Sequence, residues 1–143
     1  MTRPFRSAEE EAMLAIIRTA DVLGARAAEH LKLFDLTPAQ YNVLRILAGS
    51  PDGLACGQIG ERMITRDPDV TRLLDRMETR GWITRERSGE DRRVVTARIT
   101  GCGQKLIEEL EAPIAGAHKR SFAKLSGKQV GQLVELLQRI RET

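Results

Sequence analysis

The fold is decided by residues 61–106, which read ERMITRDPDVTRLLDRMETRGWITRERSGEDRRVVTARITGCGQKL. In the first half, apolar residues recur at three- and four-residue steps, which is the spacing of an amphipathic helix. These residues are Val70, Leu73, Leu74 and Met77. After Gly81 the apolar period shortens to two, which predicts strands at 82–87 and 93–99 with a hairpin tip at 88–92. The stretch therefore predicts a helix followed directly by a β-hairpin.

Two helices are predicted upstream, and each has its own signal. Residues 8–34 repeat apolar side chains at helical spacing over their whole length. The next helix begins after Thr37, an N-cap, with Pro38 at the first helical position and Gln40 placed to close a capping box. It is expected to run to Ala48, where a turn cluster rich in glycine and proline follows.

A short helix at 56–63 and the helix after it form a predicted helix-turn-helix. Asp67 is the expected N-cap of the second of these helices, with Pro68 at its first helical position. The hairpin that follows is interpreted as a wing. The predicted fold class is therefore mainly α with a small β-hairpin, in which residues 37–100 form a winged helix-turn-helix domain.

Helices at both ends of the chain fall outside this small domain. Thr100 is predicted to cap a fifth helix that reaches Lys124, and Ser126 a sixth. The apolar stripes of the first and last helices need a partner, and a second copy of the chain is the simplest one. Residues 1–36 and 101–143 are therefore predicted to form a dimerisation region. Its apolar contacts are assigned to Ile16, Ile17, Leu133, Leu137 and Ile140.

Composition and the remaining polar residues argue against several classes of protein. The chain has 143 residues, of which 41% are apolar and 30% charged, and no apolar run approaches the length of a membrane span. Its N-terminus lacks the apolar core of a signal peptide, and its two cysteines suit a reducing compartment, so we expect a cytoplasmic protein. No nucleophile–base motif, phosphate loop or metal-ligand cluster occurs, which indicates no enzyme, cofactor or metal.

The charge distribution points to nucleic acid more than the net charge of +3 does. Residues 61–100 hold ten arginines and no lysine, against eight acids. The planar fork of arginine suits phosphates and guanine edges, and a major groove admits one helix, whose N-terminal residues read the bases. The alternative is an ordinary solvated face on an amphipathic surface helix. The candidate base readers are Arg66, Asp69, Thr71 and Arg72.

The wing tip is the second basic element. Arg92 and Arg93 lie at the hairpin, with Arg85 and Arg87 on the opposing strand. A narrow minor groove attracts inserted arginine, and Asp91 could hold one guanidinium in place through a bidentate pair. The alternative is a charged hairpin that serves only solubility.

Two stretches resemble the MarR family of bacterial regulators, and the helix layout extends the likeness over nearly the whole chain. VTRLLDRMETRGWI resembles that family's recognition helix and its exit, and EDRRVVTARITGCG resembles its wing signature. The signature positions are Asp91, Arg93, Ile99, Thr100 and Gly103. Ala55 departs from the pattern, since a Ser or Thr cap is usual before the third helix.

The resemblance implies a homodimer, formed by the terminal helices, that binds a pseudo-palindromic operator in double-stranded DNA. It implies repression or activation of transcription, and repression is the direction we expect. On matching positions it assigns DNA contacts to Thr71, Arg72, Arg92 and Arg93. It further implies relief by a small-molecule effector, bound between the winged domain and the dimer helices near Tyr41. The reactive thiol of oxidant-sensing members lies near the start of the first helix, where this chain has no cysteine.

A winged helix can also serve protein contact alone, and this is the alternative function. In that case the face that carries Arg72 would bind an acidic partner. A salt titration of binding to duplex separates the two, because DNA binding should weaken steeply with salt and still keep a gap between specific and non-specific sites.

Overall fold

The computed structural model describes residues 5–64, 67–87 and 89–142. Within these residues it contains six helices and three short strands. In chain order they are α1 (Ala8–Lys32), α2 (Pro38–Ala48), β1 (Leu54–Ala55), α3 (Cys56–Arg62), α4 (Val70–Thr79), β2 (Ile83–Arg87), β3 (Val95–Ile99), α5 (Gly101–Ser121) and α6 (Gly127–Arg141). The prediction of a mainly α fold with a small β element, arranged as a winged helix-turn-helix, is confirmed.

Side-chain caps fix the starts of several helices where the sequence predicts them. Thr37 Oγ1 accepts a hydrogen bond from the Gln40 amide at 3.1 Å, and Gln40 Oε1 accepts one from the Thr37 amide at 3.0 Å. Ser126 and Gln129 form the same reciprocal capping box at the start of α6. These bonds satisfy amides that a helix N-terminus leaves without partners.

The start of α4 differs from the prediction. Asp69, not Asp67, is its N-cap, and its Oδ1 accepts a hydrogen bond from the Arg72 amide at 2.9 Å. Asp67 Oδ1 instead accepts from the Asp69 amide at 2.8 Å, which makes a turn before the helix. Pro68 lies in that turn. The helix therefore begins two residues later than predicted, because either aspartate can cap and the second one does.

The sheet has one strand more than the sequence predicts. Its order is β1-β3-β2, all antiparallel, with Leu54 opposite Ala97 and Ile83 opposite Ile99. A two-residue strand such as β1 carries no periodic signal, which explains why the sequence does not predict it. The two predicted strands are present but shorter than expected, at Ile83–Arg87 and Val95–Ile99.

The core lies inside the winged domain and under the start of α5. Its largest fully buried side chains come from α2, α3, α4 and β2, together with Leu31 of α1 and Leu110 of α5. Gly103 is also buried, and it packs so closely against the backbone that a Cβ there would lie 2.4 Å from the Trp82 carbonyl oxygen. Leu31 is the one buried residue of α1, and α6 has none among its described residues. The terminal helices thus extend beyond the core that this chain forms.

Candidate nucleic-acid interface

Helix α4 buries one face and exposes the other. Leu73, Leu74 and Met77 are buried against the core, while Thr71, Arg72, Asp75, Arg76 and Thr79 are exposed. Of the four predicted base readers, Thr71 and Arg72 lie on this exposed face in the first turn. Asp69 is exposed too, but its carboxylate also caps the helix. Arg66 lies outside the described residues.

The wing tip presents two exposed arginines next to one aspartate. Asp91 Oδ1 accepts hydrogen bonds from the Arg93 amide at 3.0 Å and from Arg93 Nε at 3.2 Å. The Arg93 side chain nevertheless stays 92% exposed. A single carboxylate oxygen makes both contacts, so the pair is not the two-oxygen fork that the sequence suggested. Arg87 Nη1 donates to the Arg92 carbonyl oxygen at 2.6 Å, which ties the two sides of the hairpin together.

A groove of about 330 Å³ is lined by residues of both helix α4 and the wing. Thr71 of α4 lines it on one side and Arg93 of the wing on another. Two regions that the sequence places more than 20 residues apart therefore border one concave surface. Its remaining lining residues are Ala55, Cys56, Gly57, Leu74, Arg85, Val94 and Val95.

Arg85 does not add a free charge to the wing, in contrast to the expectation from sequence. Its guanidinium forms ion pairs with Asp75 and Glu78, both on α4. The sequence holds a trace of this arrangement, because Asp75 and Glu78 are three residues apart and so lie on one side of the helix. Their arginine partner comes from a strand and could not be identified without the fold.

Apolar side chains on α1 and α6 are open to solvent in the single chain. Ile17 is 58% exposed and Leu133 36%, and Leu137 is half-buried. Ile16 and Ile140, the other predicted dimer residues, are exposed as well. Further large apolar side chains on the same two helices are exposed: Met13, Leu14, Val22, Val134 and Leu136. An apolar surface of this kind marks an interaction site in a folded protein.

A cavity of about 230 Å³ is lined by residues of α1, α2 and α5. Its wall is mostly apolar, and its polar groups include Arg26, His30, Tyr41 and His118. Burial raises the pKa of the Tyr41 phenol; the nearby Arg45 opposes this shift and Glu111 adds to it. Tyr41 is therefore an uncharged hydroxyl at neutral pH. The other lining residues are Leu23, Ala27, Leu31, Ile114, Ala117, Ser121 and Phe122.

The remaining chemistry-bearing groups form no second site among the described residues. Burial raises the pKa of the half-buried Cys56 thiol, although the charge of Arg85 opposes the shift, and Cys102 is exposed. In the part of the chain that the structure describes, no three His, Cys, Asp or Glu side chains are grouped to hold a metal ion. None of the helices in residues 5–64, 67–87 and 89–142 is long and apolar enough to cross a membrane.

Comparison with known proteins agrees with this architecture. The MarR family model matches residues 34–94. A crystal structure of a MarR transcription factor from Planctomyces limnophilus is 38% identical, with 94% of this chain and 98% of that chain covered and a TM-score of 0.73. YkoM, a Bacillus subtilis HTH-type transcriptional regulator, is 31% identical over 71% of this chain and 66% of its own length. Sco3205 of Streptomyces coelicolor, a MarR-family regulator solved in complex with DNA, is 23% identical, with 99% of this chain and 91% of that chain covered and a TM-score of 0.85.

The fold and the paired basic elements define a winged-helix transcriptional regulator. The chain belongs to the MarR family, as its resemblance in sequence predicts, and is a DNA-binding transcriptional regulator of that family. Its relatives are transcription regulators and not enzymes.

Proposed function

We propose that the chain is a homodimeric repressor that binds a pseudo-palindromic operator through α4 and the wing. The observation that carries this proposal is the groove that Thr71 and Arg93 share. Because both residues border one concavity, the first turn of α4 and the wing tip approach the same ligand surface. Duplex DNA offers such a surface, with a major groove for the helix and an adjacent backbone and minor groove for the wing.

In the major groove, residues of the first turn of α4 are proposed to contact the bases. Arg72 can bond the O6 and N7 of guanine, and Thr71 can meet a phosphate or a thymine methyl. Asp69 caps the helix with one carboxylate oxygen, and a carboxylate can accept a cytosine amino group with the other. Arg66 remains a proposed reader on its position in the sequence alone.

The wing arginines contact the DNA backbone or the minor groove. Arg93 is held at its amide and Nε by Asp91, so its terminal nitrogens can still bind phosphate. Asp91 is thus proposed to orient the wing, as its sequence position suggested. Narrow minor grooves concentrate negative potential, which favours Arg92 and Arg93 there.

Dimerisation is proposed to use residues 1–36 and 101–143, and the exposed apolar side chains of α1 and α6 support it. A two-fold dimer places two recognition helices about 34 Å apart, which matches half-sites one turn of duplex apart. A dimer that occupies both grooves of a promoter segment excludes other proteins from it, so repression is the proposed direction. A regulator of this kind acts in the cytoplasm, where a bacterial chromosome lies.

We further propose that a small-molecule effector occupies the cavity beside Tyr41. The cavity is lined by α1, a proposed dimerisation helix, and by α2 and α5, so an occupant can alter how the winged domains are oriented in the dimer. Its apolar wall and its basic rim of Arg26, His30 and His118 favour a small, mostly apolar molecule that carries an acceptor or a negative charge.

The experiment that tests the function is selection of duplex from a random pool by the purified chain, followed by binding at several salt concentrations. We expect one enriched two-fold-symmetric sequence, with a specific affinity at least about 1,000-fold above that for scrambled duplex. Both affinities should fall with salt. Failure to enrich any sequence, together with salt-insensitive binding, would contradict DNA recognition and favour a protein-contact module.

A further inference from the structure

Arg85 of β2 is bound on two sides by acids of the recognition helix. Its Nη2 donates to Glu78 Oε1 at 3.0 Å and also to Asp75 Oδ1. Its backbone amide donates to Glu78 Oε2 at 2.9 Å, and its Nε lies 3.4 Å from Glu78 Oε1. Since β3 pairs with the opposite edge of β2, the Glu78 carboxylate satisfies an amide at the free edge of the sheet.

These contacts differ from the other ion pairs of the described residues in their burial. The Arg85 side chain is only 18% exposed, whereas in each of the other pairs both partners are more than 40% exposed. Partial burial alone would lower the pKa of Arg85, but the hydrogen bonds and charges of Asp75 and Glu78 outweigh it and raise the pKa. The guanidinium is therefore charged and held by both helix carboxylates.

We propose that Arg85 is a positioning residue for DNA binding, which fixes the angle between the recognition helix and the wing without touching DNA. This inference rests on the proposed function. Loss of Arg85 should weaken DNA binding by freeing the wing to move relative to α4. Arg85 lines the same groove as Thr71 and Arg93, and its ion pairs join the wing strand β2 to the recognition helix.

Two physical effects follow from this placement. The first is preorganisation: when the angle is set before binding, Arg72 and the wing arginines reach their grooves without a further ordering cost. The second is charge. Asp75 is exposed on α4, and Arg85 offsets two acids that would otherwise repel the phosphates.

The test is a mutant cycle on the selected operator. It compares wild type, Arg85→Met, Asp75→Asn/Glu78→Gln, and the triple variant. We expect Arg85→Met to lower affinity about tenfold in the wild-type background and less than about twofold in the Asn/Gln background, since contacting residues couple. Arg98→Met is the matched control, because it removes the same charge from the neighbouring strand, where Arg98 pairs with Glu86 of the same hairpin. It should change affinity less than about twofold, as expected for a charge outside the interface.

A second measurement needs no DNA. Amide hydrogen exchange of residues 83–95 should be at least about tenfold faster in Arg85→Met than in wild type, and unchanged in Arg98→Met, because local opening follows the removal of the ion pairs to the helix. Circular dichroism confirms that each variant is folded.

The outcomes separate this inference from the proposed function. If Arg85→Met lowers affinity equally in the wild-type and Asn/Gln backgrounds, Arg85 binds a phosphate directly. If amide exchange of residues 83–95 is unchanged in Arg85→Met, Arg85 does not hold the wing. Either result overturns the positioning role. If wild type selects no operator, the proposed function fails, and the exchange measurement alone then decides whether Arg85 fixes the wing.

Discussion

Arg80 binds Asp35 and so joins the C-terminal end of α4 to the corner between α1 and α2. Arg80 Nη1 lies 3.1 Å from Asp35 Oδ2 and 3.2 Å from the Asp35 carbonyl oxygen. The same guanidinium lies 4.3 Å from the ring centroid of Trp82. Asp35 has φ of 55°, a left-handed conformation that aspartate tolerates better than most residues. The recognition helix is thus connected directly to the turn that follows α1, which is one of the helices that line the cavity.

Arg80→Ala should lower the free energy of unfolding by about 1 kcal/mol, because it removes an exposed ion pair and a cation–π interaction. The expected decrease is small because the two charged side chains are 41% and 89% exposed. Asp35→Val should cost more, since a β-branched residue in the left-handed region adds about 1–2 kcal/mol of strain. Asp35→Gly is the control, because it removes the carboxylate and relieves the strain. Urea unfolding gives all three values, and a Val variant as stable as the Gly variant would contradict the strained corner.

Gly103 and Gly101 lie in the first turn of α5 and should respond in opposite directions to alanine. A Cβ on Gly103 would lie 2.4 Å from the Trp82 carbonyl oxygen, whereas one on Gly101 meets nothing within 4 Å. Gly103→Ala should therefore destabilise the chain by about 1–3 kcal/mol through overpacking. Gly101→Ala should be neutral or stabilising by up to about 1 kcal/mol, because alanine favours the helix. Thermal or urea unfolding measures both, and equal effects would show that α5 does not need its close approach to Trp82.

Local signals made much of this fold predictable from the sequence. The Thr37-Pro38-Gln40 run specifies a helix start with its own hydrogen bonds, and α2 begins there. The start of α4 could not be fixed in the same way, because Asp67 and Asp69 can each accept an amide bond. Strand β1 could not be predicted from the sequence because it has only two residues and pairs with β3, which is distant in the sequence.

The residues of the candidate site also differ in how far the sequence could predict them. Thr71 and Arg72 follow from helical spacing alone, since the apolar stripe fixes which side chains point outward. The pairing of Arg85 could be found only from the fold, because the turn at Arg80 and Gly81, where Gly81 has a φ of 78°, brings β2 back against Asp75 and Glu78 of α4. A count of arginines treats Arg85 and Arg93 alike, although one is paired inside the domain and the other extends into solvent.

Leu133→Asp should dissociate the proposed dimer. A charge placed in an apolar interface without a partner is strongly disfavoured, and the exposed face of α6 near Leu133 is largely apolar. Gln132→Asp is the matched control, with the same charge on the neighbouring, exposed position of α6. Analytical ultracentrifugation at micromolar concentration should give a dimer for wild type and the control, and a monomer or unfolded chain for Leu133→Asp. A folded monomer for wild type would show that α1 and α6 are covered in another way.

Arg72 and the wing arginines should have separable effects on DNA binding. Arg72→Ala should cost about 1–3 kcal/mol on the selected operator and relax the preference at one base pair of each half-site, because base edges carry the sequence information. Arg92→Ala and Arg93→Ala should weaken binding to all duplexes more evenly. Each should also lower the salt dependence by about one unit for every phosphate that the wing no longer neutralises. Binding of each variant to operator and scrambled duplex across a salt series measures both effects.

The control for Arg72 lies one turn further along the same helix. Arg76→Ala removes an equal charge from an exposed position on α4 but leaves the first turn intact. If Arg72 reads bases, Arg76→Ala lowers affinity without changing the preferred sequence, and only Arg72→Ala changes both. If both variants merely lower affinity in parallel, α4 binds the backbone and the sequence must be read elsewhere, with Arg66 the first position to substitute. If the Arg72 and wing variants all keep wild-type affinity, neither element contacts DNA, and the arrangement of helix, groove and wing must serve another partner.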